Sequence, residues 1–179
     1  MAVSYRQLAV SLGELKTSHD PLDVLVAYGL GSCLAISMYD PGSHTAGMLH
    51  AVLPENERAK DFGVKDFTTK DFTLAGSLST RYVDSGIMAL LGQMLGSGAH
   101  RERLIVKLAG GAKILATSEQ TALFNIGSRN IAMAYQKLAS NNIRIAGKEI
   151  GGNVGRTVRL YVADGRFTVS IAGQPEQEF

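Results

Sequence analysis

Two side chains able to carry out nucleophilic chemistry stand seventeen residues apart in this 179-residue chain. Cys33 is the only cysteine and directly follows the sequence Gly-Leu-Gly-Ser, whereas His50 lies inside an apolar run. The apolar run after Cys33 predicts a strand over 34–39, and the run around His50 predicts a strand over 46–53. The sequence DPGS at 40–43 is typical of a turn, so we expect these strands to form a hairpin.

The alternation of side chains in this hairpin predicts the face on which each residue lies. The core set is Leu34, Ile36, Met38, Leu49 and Leu53, and the opposite set on the first strand is Cys33, Ala35, Ser37 and Tyr39. A turn that pairs Tyr39 with Ala46 would fix the register. Ala35 would then lie opposite His50, and Cys33 would be its diagonal neighbour, with Cβ atoms roughly 6–8 Å apart. A shift of one residue would place the two side chains on opposite faces.

A thiol beside an imidazole is the arrangement of a cysteine hydrolase. The imidazole accepts the thiol proton, the thiolate attacks a carbonyl carbon, and the imidazolium later protonates the leaving group. The glycines of the preceding loop allow backbone N–H groups to converge on an oxyanion, which makes Gly31 and Ser32 candidate oxyanion or positioning residues. Each main candidate also has a structural alternative: Cys33 as a buried core thiol and His50 as a core or interface histidine.

The remaining patterns predict an α+β fold of mostly antiparallel strands with two main covering helices. Apolar residues recur at helical spacing over about 79–95, with Ser79 as a candidate N-cap, and over about 128–139. Further strands are predicted over 7–15, 22–28, 104–108, 143–150, 157–163 and 166–171. We therefore expect one domain over 1–179 with a loose tail at 173–179.

Composition narrows the class of protein. A net charge of +2 without a basic run gives no indication of nucleic-acid binding. A single cysteine excludes an internal disulfide and favours a reducing compartment inside a cell. The N-terminal sequence has no signal-peptide pattern, and no apolar run is long enough to insert in a membrane. Four scattered histidines with one cysteine show no zinc-ligand spacing, so we expect no metal site.

The polar stretch 55–73 contains Lys-Asp-Phe three times, at steps of five residues. That step matches neither the helix period nor the strand period. Two interpretations stay open: a surface loop attached to the body by its phenylalanines, or a lid that faces the substrate.

Several motifs occur in an order that resembles a known family. GLGSC is followed by a strand and then by His50 within GMLHAVLP. RYVDSGI at 81–87, KLAGGAKIL at 107–115, IGSRN at 126–130 and GGNVGRTV at 151–158 come next. Over about residues 20–172 the chain resembles the CheD family, the chemoreceptor glutamine deamidases of bacterial and archaeal chemotaxis.

The resemblance implies a fold, a reaction and partners. The fold would be an α/β/β sandwich. The reaction would be hydrolysis of receptor glutamine side chains to glutamate with release of ammonia, without a cofactor, with Cys33 as nucleophile and His50 as base. The partners would be the cytoplasmic helices of chemoreceptors and a CheC-type phosphatase, and the location would be the cytoplasm.

One position departs from the family pattern. Members usually carry a threonine six residues before the cysteine as the third member of the catalytic group, and Ala27 stands there in this chain. Alanine cannot hydrogen-bond an imidazole, although Tyr28 or a backbone carbonyl could take that role. Two alternatives therefore stay open: a catalytically weak or inactive adaptor that binds receptors or a CheC-type phosphatase, and a cysteine hydrolase with another substrate.

Overall fold

The computed structural model describes residues 4–55, 79–113 and 125–179, which form ten strands and two α-helices. The strands are β1 (Arg6–Ala9), β2 (Leu15–Ser18), β3 (Asp23–Leu30), β4 (Leu34–Asp40), β5 (Thr45–Ala51), β6 (Ile105–Gly110), β7 (Ile145–Ile150), β8 (Arg156–Tyr161), β9 (Phe167–Ile171) and β10 (Gln177–Glu178). The helices are α1 (Val83–Gly96) and α2 (Ile126–Ser140), and Arg101–Arg103 forms one 3₁₀ turn.

Two sheets and a helical layer stack on one another. The outer sheet has the strand order β1-β3-β8-β9-β10, and the central sheet has the order β2-β5-β4-β6-β7. Most neighbours are antiparallel, while β1 with β3 and β6 with β7 are parallel. Helices α1 and α2 pack on the central sheet, so the predicted α/β/β sandwich is confirmed. In the described part of the chain, no helix is long and apolar enough to cross a membrane.

The central sheet is buried on both faces, and this creates two apolar layers. The layer under the helices contains Leu34, Ile36, Met38 and Leu49 together with Ile87, Leu90 and Leu91. The layer between the sheets contains Leu25, Ala27, Leu30, Ala35, Met48 and Phe167. All seven residues of β4 are buried because alternate side chains enter alternate layers. A residue directly before β4, such as Cys33, therefore lies where the buried strand meets the protein surface.

The strand predicted over 7–15 is two strands that belong to different sheets. Strand β1 pairs with β3 in the outer sheet, whereas β2 pairs with β5 in the central sheet. The chain changes sheets at Gly13, whose φ of +71° lies in the left-handed region that glycine adopts readily. Leu8, Val10 and Leu12 alternate up to this glycine, whereas Glu14 breaks the alternation and Leu15 resumes it on the other phase. The single strand predicted over 7–15 therefore overlooked a break that lies at the turn.

Three other segments differ from expectation or lie outside the described residues. Helix α1 begins at Val83, after an N-cap at Tyr82, and the Ser79 carbonyl accepts a hydrogen bond from Ser85. The tail expected to be loose pairs with β9 through β10, and the ring of Phe179 packs edge-on against another phenylalanine of the inter-sheet layer. The Lys-Asp-Phe repeats fall within 56–78, outside the described residues.

The carboxylate of Asp40 joins the β4–β5 turn to the segment before β6. It is fully buried and accepts hydrogen bonds from Arg103 Nε and Nη2 (2.8 and 2.7 Å) and from the backbone N–H of Gly42 and His100 (2.9 and 2.8 Å). The guanidinium beside it holds the pKa of Asp40 well below its usual range. Its stabilising contribution is therefore present above the pKa of the unfolded chain, about 4, and is lost as pH falls below that value.

We expect Asp40→Asn to lower the free energy of unfolding at pH 7 by about 2–3 kcal/mol, less than for a fully buried pair because Arg103 is 40% exposed. Urea unfolding at pH 7 and pH 3 measures this loss, and the gap to wild type should narrow at pH 3. Asp164→Asn, which breaks a surface pair at 3.9 Å, should cost at most about 0.5 kcal/mol. Equal losses in the two variants would contradict the assignment.

Candidate active site

Cys33 lies in the short loop between β3 and β4, at the border between solvent and the inter-sheet layer. Its side chain is half-buried and packs against that layer. Its carbonyl accepts a 2.8 Å hydrogen bond from the N–H of Gly111. Gly110 allows this approach, because a Cβ there would lie 2.3 Å from the Cys33 carbonyl oxygen and its φ is +109°. The thiol is therefore held at a fixed point of the β4–β6 pair.

His50 lies on the neighbouring strand in the predicted register. Tyr39 pairs with Ala46 and Ala35 pairs with His50, as the turn at 40–43 predicts. The imidazole is 2% exposed, and its Nδ1 lies 3.1 Å from the carbonyl oxygen of Val10, a residue of the inter-sheet layer. Cys33 packs against the same layer, so the two side chains share one face of the central sheet.

The Val10 carbonyl determines which ring nitrogen of His50 carries the proton. A carbonyl oxygen only accepts, so in the neutral ring Nδ1 is the protonated nitrogen and Nε2 carries a lone pair. Nε2 is buried and has no hydrogen-bond partner among the described residues. The thiol–imidazole hydrogen bond is thus not formed in this structure, and Nε2 is free to accept a proton.

The loop before the thiol presents unpaired N–H groups. Its carbonyls are occupied: Gly31 accepts from the N–H of Ala112 at 2.8 Å, and Ser32 accepts from Asn130 Nδ2 at 2.9 Å. Within residues 4–55, 79–113 and 125–179, the N–H groups of Gly31 and Ser32 donate to no protein acceptor. Both groups are therefore available to an anion beside Cys33.

Comparison with known proteins identifies the family. The family model described as "CheD chemotactic sensory transduction" matches residues 69–171. The "Probable chemoreceptor glutamine deamidase CheD" of Symbiobacterium thermophilum is 36% identical over 95% of this chain and 95% of its own. The "Probable chemoreceptor glutamine deamidase CheD 1" of Syntrophus aciditrophicus is 36% identical over 94% of this chain and 96% of its own. A similarly named protein of Caldanaerobacter subterraneus subsp. tengcongensis is 35% identical over 93% of both chains.

The chain belongs to the CheD family. The resemblance drawn from the motifs is therefore confirmed. In this CheD-family chain, the structure also bears on the group that replaces the usual threonine. Ala27 is fully buried in β3, and the Tyr28 hydroxyl donates to Gln7 Oε1 at 2.7 Å on the exposed side. The Nδ1 of His50 meets the Val10 carbonyl, which is a backbone acceptor.

Two residues that contact the candidate site could not be found from the sequence pattern. Val10 acts through its carbonyl, which any residue has, so no side-chain signal marks it. Its position depends on a 2.7 Å hydrogen bond from its N–H to the Val26 carbonyl. Asn130 lies in the IGSRN motif, but only its contact with Ser32 relates it to Cys33. Arg156 and Arg129 pair within the chain, with Glu149 at 2.9 Å and with Glu55 at 3.8 Å.

Burial keeps both members of the CheD thiol–imidazole pair neutral. It raises the pKa of Cys33, and the N–H of the same residue offsets part of this effect. It lowers the pKa of His50, with a smaller opposing effect from the Val10 carbonyl. At pH 7 the thiol and the imidazole are therefore both neutral, so an attack by the sulfur would require proton transfer to a base. No group of three or more metal-ligating side chains occurs in the described part of the CheD chain.

These two shifts predict separate pH profiles for alkylation and catalysis. Alkylation of Cys33 by iodoacetamide should rise with a midpoint above the pKa of an ordinary cysteine, about 8.5, because burial disfavours the thiolate. The value of kcat/KM should fall at acid pH with a midpoint below about pH 6.5, because His50 must be neutral to act as base and burial lowers its pKa. Mass spectrometry follows the single thiol and stopped assays give kcat/KM. An alkylation midpoint below pH 7 would indicate a preformed thiolate–imidazolium pair instead.

Proposed function

We propose that this chain hydrolyses glutamine side chains of chemotaxis receptors to glutamate, with Cys33 as nucleophile and His50 as general base and acid. Relatives at 35–36% identity over nearly the full chain are named as probable chemoreceptor glutamine deamidases. The observation that carries the proposal is the Nε2 lone pair of His50, which is buried, unpaired and on the face that Cys33 shares. A histidine kept only for packing would leave no such atom without a partner.

The first half of the reaction forms a thioester. His50 Nε2 takes the thiol proton as the sulfur bonds to the carboxamide carbon, and the carbonyl electrons move to the oxygen. The unpaired N–H groups of Gly31 and Ser32 are placed to donate to this oxyanion. When the oxyanion collapses, the C–N bond breaks, and Nε2 returns the proton to the departing nitrogen, so ammonia leaves. The lowered pKa of His50 favours this return, because a less basic imidazole has a more acidic imidazolium.

The second half hydrolyses the thioester. His50 Nε2 removes a proton from water, the resulting hydroxide adds to the thioester carbon, and the C–S bond breaks with return of the proton to sulfur. The product is a glutamate side chain. Throughout, the Val10 carbonyl accepts from Nδ1–H and stabilises the imidazolium that forms in each half.

The test follows the mass of receptor glutamines. Cytoplasmic receptor fragments are incubated with wild type and with Cys33→Ala, and peptides are examined for a gain of about 1 Da at glutamine, the mass change of amide to acid. Wild type should convert specific glutamines, and Cys33→Ala should convert none. Receptor binding without conversion by wild type would instead support the adaptor alternative, and conversion of other proteins alone would support another substrate. Binding to a CheC-type phosphatase stays a prediction of the family resemblance.

A further inference from the structure

The side chain of Asn130 joins the segment that carries the thiol to the segment that carries the imidazole. It lies in the second turn of α2, is fully buried, and its Nδ2 donates to the carbonyls of Ser32 (2.9 Å) and Val52 (3.1 Å). Ser32 precedes Cys33, and Val52 follows His50 by two residues. Because two carbonyls can only accept, Nδ2 must face both of them, which fixes the orientation of the amide.

Two glycines bring α2 close enough for this contact. A Cβ on Gly127 would lie 2.4 Å from the carbonyl oxygen of Gly111, and a Cβ on Gly111 would lie 2.6 Å from the side chain of Ile131. Neither atom exists, so the first turn of the helix lies directly on the chain that leaves β6. Asn130 is thereby held beside the loop of the thiol.

The bond to Ser32 sets the direction of the Cys33 N–H. The described residues contain no cis peptide bond, and in a trans peptide the C=O and the N–H point in opposite directions. Asn130 holds the Ser32 oxygen, so the N–H of Cys33 points away from α2. The next peptide is fixed by the bond from Gly111 N–H to the Cys33 oxygen. Both peptides that flank the nucleophile therefore have a fixed plane.

The other half of the Asn130 amide argues against a packing role. Its Oδ1 is buried and has no hydrogen-bond partner among the described residues. An apolar side chain of similar size would fill the space without leaving a carbonyl unsatisfied. The buried side-chain atoms without a partner in the described ranges are Asn130 Oδ1 and His50 Nε2, and both residues hold the segments around Cys33.

We propose that Asn130 is a positioning residue that aims the Cys33 N–H at the oxyanion formed when the sulfur attacks a carbonyl carbon. In that step the S–C bond forms, the carbonyl electron pair moves to oxygen, and the Cys33 N–H donates to the resulting anion. Loss of the Nδ2 donors frees the Ser32–Cys33 peptide to rotate, so the donor is lost while the thiol remains. This proposal takes its natural substrate from the proposed function, but its geometry is independent of that substrate.

Two reactions of the single thiol separate oxyanion stabilisation from thiol reactivity. Alkylation by iodoacetamide is a displacement at saturated carbon and forms no oxyanion, whereas acylation by p-nitrophenyl acetate passes through a tetrahedral oxyanion. For Asn130→Asp, which keeps the size of the side chain but removes both donors, we expect acylation to fall about 100-fold. Alkylation above the pKa of the thiol should stay within about threefold of wild type, because the displacement does not use the N–H donor.

The matched control is Asn141→Asp. Asn141 follows the other end of α2, and its Nδ2 also donates to a backbone carbonyl, that of Lys137 at 2.8 Å. Its ratio of acylation to alkylation should equal that of wild type. If Asn130→Asp does not yield folded protein by circular dichroism, Asn130→Ala takes its place, because it removes the donors without adding a charge. The same ratio of acylation to alkylation at Cys33 is then measured.

The role of Asn130 and the proposed function fail on different results. An equal fall of both rates, an unchanged ratio, or no acylation of wild-type Cys33 by p-nitrophenyl acetate would overturn the role of Asn130. On receptor fragments the variant should lose kcat with KM unchanged, because the substrate does not contact Asn130 in this proposal. Suppose that wild type is acylated at Cys33 and that Asn130→Asp lowers the ratio of acylation to alkylation, but that wild type converts no receptor glutamine. The proposed function then fails, while the role of Asn130 stands.

Discussion

His50→Gln should lower kcat for receptor deamidation about 1000-fold, the scale on which general acid–base catalysis contributes. Glutamine can still donate to the Val10 carbonyl, which His50 Nδ1 meets at 3.1 Å, but it cannot accept and return a proton. The thiol itself is unchanged, so alkylation of Cys33 above its pKa should match wild type. Steady-state deamidation by mass spectrometry, combined with iodoacetamide labelling at pH 10, measures both quantities.

The control for His50 is His19→Gln, because His19 is exposed in the loop before β3. This variant should keep wild-type kcat. A kcat for His50→Gln within tenfold of wild type would remove His50 from the mechanism. Parallel loss of labelling at Cys33 would indicate instead that the substitution had disturbed the fold around the thiol.

Gly110→Ala should damage both stability and activity. The added Cβ would meet the Cys33 carbonyl oxygen at 2.3 Å and the Leu34 Cα at 3.4 Å, and both are backbone atoms of the opposing strand. The φ of +109° adds strain for any side chain. We expect the free energy of unfolding to fall by about 3 kcal/mol or more. Displacement of Cys33 by a fraction of an ångström should also lower kcat about 100-fold.

Gly98→Ala is the matched control for Gly110→Ala. Gly98 has a φ of +89°, but a Cβ there would have no heavy atom within 4 Å. Its cost should be only that of the backbone conformation, about 1 kcal/mol, with no loss of kcat. Urea unfolding and the deamidation assay compare the two variants. Equal losses of unfolding free energy in the two variants would show that backbone strain alone explains the effect. The contact between the added Cβ and the Cys33 carbonyl would then contribute nothing.

The Val10 carbonyl gives the departure at Ala27 a chemical meaning. The hydroxyl that the family usually supplies is absent, yet Nδ1 of the imidazole is hydrogen-bonded. A backbone carbonyl cannot lose or gain a proton, so whenever the ring is neutral it keeps the proton on Nδ1 and leaves the lone pair on Nε2. This supports enzymatic activity over the adaptor alternative, and the receptor assay distinguishes the two.

The hairpin around the thiol could be predicted because its determinants are local. Side chains alternate with a period of two, and the turn at 40–43 fixes the register, so Ala35 opposite His50 follows from nearby residues alone. The same local logic predicted the helices and the strands β8 and β9, which pair antiparallel. It failed at Gly13, where the chain leaves the outer sheet for the central sheet and the single predicted strand ran across the break in alternation.

The partners of the site could not be predicted because they are distant in sequence. His50 meets a carbonyl 40 residues away, and Asn130 meets carbonyls 98 and 78 residues away. Such contacts depend on the order of strands in the two sheets and on the approach of α2 to the chain after β6. Hydrophobic periodicity carries no information on that order, because every arrangement that buries the same faces satisfies it equally.

The sequence by itself thus determined the family, the secondary-structure elements of the hairpin, and the shared face of Cys33 and His50. Only the tertiary structure decided that a backbone carbonyl orients the imidazole, that its Nε2 is left unpaired, and that Asn130 holds the peptide before the thiol. The physical reason is that a face is set by neighbours two residues apart along a strand. A hydrogen bond between layers exists only after sheets and helix have packed.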